Sequence, residues 1–148
     1  MNRNSILLTL FALFIAMPAI AGPDADALTR CLSDSTSGRD RKDLAKWVFA
    51  AMSSHPEIRE FAKVSDKVRD QTSNTMGVLV SRLLGEDCLK QTQAVVRNEG
   101  SVAMQMAFRD LGALAMQELM SDPDVKASFG GFEKYLDRKK IEAAMPAK

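Results

Sequence analysis

The sequence is short of the residues from which many enzymes build their sites. It has one histidine, His55, and two cysteines, Cys31 and Cys88, in 148 residues. His55 has no companion at H-x-x-x-H or H-E-x-x-H spacing, so a zinc site would need distant acids to complete it. No C-x-x-C pair exists, which disfavours disulfide-exchange chemistry. The G-x-x-x-x-G-K-[ST], G-x-S-x-G and S-x-x-K elements are missing as well, so no phosphate loop or activated serine is signalled. Strand signals are equally scarce. No segment alternates apolar and polar residues for long, and no Asn-Gly or Asp-Gly hairpin pair occurs. The chain also lacks a strong net charge, with 20 Lys and Arg against 19 Asp and Glu, a net of +1. Without a basic stripe to neutralise phosphates, nucleic acid is not an expected partner. No internal repeat or low-complexity stretch is present.

What the sequence does have is one long apolar run, at its N-terminus. Arg3 supplies a positive charge, Ile6 to Pro18 is almost unbroken apolar sequence, and Ala19-Ile20-Ala21 precedes Gly22. This is the layout of a secretory signal peptide cleaved after Ala21. The run is shorter than the ~20 residues of a membrane span, and Pro18 interrupts it. A lipid anchor would need a cysteine at the cleavage point. The nearest is Cys31, where Arg30 is too large and charged to precede such a site. Residues 1–21 are therefore expected as a signal peptide and 22–148 as a single helical domain, exported to the periplasm. No transmembrane segment is expected after cleavage. Losing Arg3 makes the basic and acidic counts equal.

In an oxidising compartment, Cys31 and Cys88 read first as a disulfide. The rival reading is a thiol nucleophile, which needs a base beside it. Nothing in the sequence places His55 beside either sulfur.

Helical periodicity dominates the rest. Residues 22–30 read as a polar lead-in with one short turn. Leu44, Trp47, Val48 and Ala51 share a helix face, widened by Met52, in a helix that starts near Asp40 and ends before His55-Pro56. Pro56 opens a short helix. Ser65 is an N-cap for a helix over Asp66–Leu84, carrying Val68, Thr72, Met76, Leu79 and Leu83, with Gly85 as its C′ residue. Residues 86–120 hold one helix or two, with Asn98-Glu99-Gly100 as the point of closure or kink. Asp122-Pro123-Asp124 starts another. Phe132, Tyr135, Leu136 and Lys139 pattern a last helix. The fold class expected is all-α: a compact bundle of four to six helices with one disulfide. Its core is expected to hold Trp47, Val48, Leu79, Leu83, Val95, Leu111, Leu114 and Leu119.

The stretch Cys31-Leu32-Ser33-Asp34-Ser35-Thr36-Ser37-Gly38-Arg39-Asp40-Arg41-Lys42 invites a functional reading. Counted from Asp34, an EF-hand loop would want Gly and Glu where Arg39 and Ala45 stand, so the pattern disfavours calcium. A phosphate cradle would face repulsion from Asp34, Asp40 and Asp43. A capping box explains more: Ser37 as N-cap with Asp40 three residues on. The cations Arg39, Arg41, Lys42 and Lys46, on the exposed side of the same helix, are the candidate partner surface.

This stretch as far as Trp47, joined to Arg82-Leu83-Leu84-Gly85-Glu86-Asp87-Cys88, resembles a group of small exported bacterial helical proteins. The shared pattern is Cys-Leu-x-Asp-x-Thr-x-Gly-x-Asp-Arg-Lys. The resemblance covers most of the chain after residue 21. It implies a bacterial periplasmic address and supports the disulfide. It brings no activity and no site residues.

Two functional readings remain. The first is a non-enzymatic interaction module that binds another periplasmic or incoming protein, for instance an immunity protein or an inhibitor of an enzyme or toxin. The alternative is a small-ligand or Cu(I) carrier, since thioethers bind soft copper. Seven of the nine methionines follow residue 21, among them Met104, Met106, Met116 and Met120, and Phe108 lies in the same stretch. Methionine also fills irregular helical cores without any metal. No catalytic residue, metal ligand or cofactor is selected by the sequence, so an enzyme is the less favoured class. The oligomeric state is left open.

Overall fold

The computed structural model describes residues 22–145. The expected signal peptide lies outside them. The described residues form eight α-helices and no strand: α1 Pro23–Ser35, α2 Gly38–Met52, α3 Pro56–Ala62, α4 Asp66–Arg82, α5 Leu89–Asn98, α6 Gly100–Met120, α7 Pro123–Gly130 and α8 Arg138–Ala143. A π-helical turn, Leu83–Asp87, follows α4, and a 3-10 turn, Gly131–Tyr135, follows α7. The protein is all-α. Helices α1, α2, α4, α5 and α6 make the bundle, with α1 packed on α5 and α6, and α2 on α4 and α6. No helix among the described residues is long and apolar enough to cross a membrane.

The first helix corrects the expectation of a polar lead-in. Ala25, Leu28 and Leu32 sit at i, i+3 and i+7 and are completely buried. Pro23 at the first turn presets φ, and Asp24 and Asp26 favour the positive end of the helix dipole. The polar residues between the apolar ones face outward, so the lead-in is one wall of the core.

Helix α2 starts as its sequence dictates. Ser37 Oγ accepts from the Asp40 N–H at 3.2 Å, and the Ser37 N–H donates to Asp40 Oδ2 at 2.9 Å. Both halves of the capping box are formed. His55 serves both ends of the turn: its backbone N–H donates to the Met52 carbonyl of α2 at 3.0 Å, and its Nδ1 accepts from the Glu57 N–H of α3 at 3.3 Å. Ser65 caps α4 by accepting from Val68 N–H. Gly85 is not a C′ residue. The chain widens into the π turn, where Cys88 N–H reaches back to the Leu83 carbonyl at 2.8 Å. Residues 86–120 make two helices, separated at Glu99–Gly100, where Gly100 takes φ +77°. A side chain there would be strained.

The core contains Leu28, Leu32, Leu44, Met76, Leu79, Leu83, Val95, Ala107 and Leu111, with Trp47 and Val48 packed against it. Leu114 and Leu119 are expected among them, but Leu114 is only half-buried and Leu119 is 40% exposed. Leu119 faces a hollow that the last turn of α6 shares with α2 and α7, and the neighbouring helices do not close over it. The last expected helix is also broken. Phe132 and Tyr135 lie in the 3-10 turn, Leu136 is extended, and α8 starts only after the Asp137 cap. From Gly131 to Met145 no residue is buried.

Candidate functional site

The disulfide Cys31–Cys88 joins the last turns of α1 to the start of α5, with Cα atoms 5.8 Å apart. Cys88 is fully buried. Ser35 Oγ lies 3.9 Å from Cys31 Sγ and 3.7 Å from Cys88 Sγ. Both sulfurs are bonded to each other, so neither serves as a nucleophile in this state.

A polar knot surrounds this staple. Arg82, at the end of α4, donates through Nη2 to Asp40 Oδ2 at 3.1 Å and through Nη1 to the Asp87 carboxylate. It also reaches the Ser35 carbonyl at 3.4 Å. Burial pushes the Asp40 carboxyl up, but the Ser37 N–H and hydroxyl and the Arg82 guanidinium outweigh it. The net effect holds Asp40 below its ordinary value. The knot joins α1, α2, α4 and the π turn. Its donors and acceptors are used on one another, which is the arrangement of a structural clasp.

The four candidate cations of α2 divide. Arg41 turns inward: its side chain is 22% exposed, and Nη1 donates to the Thr36 carbonyl at 2.7 Å. Its Nε lies 3.4 Å from Glu118 Oε2 on α6. Lys42 faces solvent beside the same glutamate, at 3.9 Å. Arg39 and Lys46 both approach Asp43, at 3.9 and 2.8 Å. Arg39, Lys42 and Lys46 thus remain on the surface, and Arg41 fastens α2 to α6.

Beside Lys42 and Lys46 a hollow of about 540 Å³ opens between α2, the end of α6 and the start of α7. Ala45, Phe49, Leu119 and Val125 make its floor. Phe49 is 56% exposed. The rim has two signs, with Lys42 and Lys46 on one side and Glu118 and Asp122 on the other. Lys42, Ala45, Lys46 and Phe49 recur at i, i+3, i+4 and i+7, so half of this hollow was readable as a helix stripe. The other half comes from the end of α6 and the start of α7, some seventy residues away in sequence, and carries no local signal.

The methionines differ in setting. Met76 is in the core, Met104 packs against it with Phe108, and Met116 is 48% exposed. Among the described residues no group of three or more His, Cys, Asp or Glu side chains is placed to hold a metal ion. No protein-family model matches the chain, and neither the curated proteins nor the solved structures gave a match.

Proposed function

We propose that this is an exported helical module, stapled by its disulfide, that binds another protein in the bacterial periplasm. The observation that carries the reading is the hollow between α2 and α6. It combines exposed Phe49 and Leu119 with a rim of lysines facing acids. An apolar centre within a polar, charged rim is the anatomy of protein interfaces. The disulfide agrees with an oxidising compartment. An immunity protein or inhibitor, neutralising an enzyme or toxin that reaches that compartment, is the concrete form of this proposal. Arg39, Lys42 and Lys46 extend the contact surface along α2.

A photo-crosslinking residue placed at Lys46, beside Phe49 on the rim of the hollow, in protein expressed in its native periplasm, tests the reading. One stoichiometric protein adduct that disappears when Phe49→Asp is added, at unchanged thermal stability, is the expected result. The alternative, a small-ligand carrier, draws on the size of the same hollow, which lies within the range of ligand pockets. An apolar small molecule or Cu(I) retained in native mass spectra, with no protein adduct, would favour that alternative.

A further inference from the structure

The start of α1 is held by a residue distant in the sequence. Glu99 Oε1 accepts the Asp24 N–H at 3.0 Å, and Oε2 accepts the Ala25 N–H at 2.9 Å. These are two of the orphan donors that begin a helix. Asn98 adds a hydrogen bond from Nδ2 to Asp24 Oδ2 at 2.6 Å. The break between α5 and α6, with its left-handed Gly100, is what presents Glu99 to α1.

Gly22 lies against the same carboxylate. A Cβ built on Gly22 would stand 2.1 Å from Glu99 Oε1 and 2.8 Å from Oε2. Its φ is −78°, so backbone freedom is not what requires glycine here. Close approach of the carboxylate is. An N–Cα bond is ~1.46 Å, so the Gly22 nitrogen sits within about 5 Å of that oxygen.

We infer that Glu99 is the receptor for an α-ammonium group created at Gly22 by processing. The inference rests on the export reading, in which a leader endopeptidase cuts after Ala21. Hydrolysis adds one water across the Ala21–Gly22 amide. The C–N bond breaks, Ala21 leaves as a carboxylate, and the Gly22 nitrogen becomes –NH3+. An α-amino group has a reference pKa of about 7.7–8.0, so it is mainly protonated at neutral pH. A cation at the start of a helix opposes the helix dipole. Glu99, already fixed by two backbone N–H groups, places its negative charge where that cation appears. Removal of the leader thereby completes the cap of α1, and Gly22 serves as both the residue after the cut and the space for the carboxylate.

Two measurements test this. Intact mass of the exported protein reports its first residue, and a start other than Gly22 overturns processing at that bond. A thermodynamic cycle tests the receptor separately. Chains beginning at Gly22 and at Ala21 are compared in Glu99 and Glu99→Gln backgrounds. The Gly22 chain is expected to melt about 3–5 °C above the longer one, with the difference lost in Glu99→Gln. Equal melting temperatures with Glu99 present, or the same difference without it, overturn the inference. Acetylating the Gly22 amine gives an independent reading with Glu99 intact. It should cost the same few degrees, and no change would equally overturn the receptor role.

Discussion

Arg82 Nη2 on α4 donates to Asp40 Oδ2 on α2 at 3.1 Å, and that same oxygen accepts the Ser37 N–H that begins α2. One carboxylate therefore caps a helix and joins two. Its folded pKa is below its ordinary value. A depressed carboxylate stabilises the fold above its unfolded pKa, and that contribution is lost as pH falls through the folded value. Urea unfolding at neutral pH should show Asp40→Asn less stable than the parent. As pH falls through the folded value and the carboxyl is protonated in both the folded and unfolded states, the gap should close. A gap that stayed constant over that range would mean Asp40 acts through packing and not through its charge.

Reducing the disulfide should be costly. The cysteines are 57 residues apart in sequence. In the chain-entropy model a loop of this length is worth about 4 kcal/mol. The Cys31→Ser, Cys88→Ser double variant should lose about that much in equilibrium unfolding. An unchanged denaturation midpoint would refute the estimate.

The cations of α2 should separate by experiment as they do in space. Arg41→Ala removes a hydrogen bond to Thr36 and the pair with Glu118, and should cost about 1–2 kcal/mol. Lys42→Ala and Lys46→Ala remove exposed groups and should stay within about 0.5 kcal/mol. Chemical denaturation of the three variants side by side decides it. Equal losses would place Arg41 with the surface lysines.

Gly100→Ala should destabilise the protein by about 1–2 kcal/mol, because φ is +77° there. Gly112→Ala, inside α6 with open space around its Cα, should be neutral or stabilising by up to about 1 kcal/mol. Melting curves of the pair provide an internal control. If both shifted alike, the left-handed turn would not be a constraint.

The features visible in the sequence are those whose causes are local. Ser37 with Asp40, Ser65 before α4 and Asp122 before α7 cap helices within three residues, and each is found where its spacing placed it. The all-α class followed from periodicity in the same way. The first helix did not, because its N-terminal groups are satisfied by Glu99, more than seventy residues along the chain. Its apolar stripe is only three residues wide. Leu119 is misplaced because periodicity shows which face is apolar and not how closely the neighbouring helices pack on it. The hollow at Phe49 was half legible for a related reason: α2 shows its stripe, but Glu118, Leu119 and Asp122 meet it only through the fold. Arg41 had the composition of a surface cation, and only the turn at Thr36 brings a carbonyl within its reach.

The staple between Cys31 and Cys88 also decides how the molecule responds to tension. Pulled by its two ends, the oxidised chain transmits force from α1 directly into α5 through the sulfur–sulfur bond. Helices α2, α3 and α4 lie inside the covalent ring and are bypassed. At roughly 3.3–3.6 Å per extended residue, the 57-residue separation conceals about 200 Å of contour length. A transporter or protease that threads the protein from one terminus would therefore meet a closed ring that must enter as a double strand, unless the bond is reduced first.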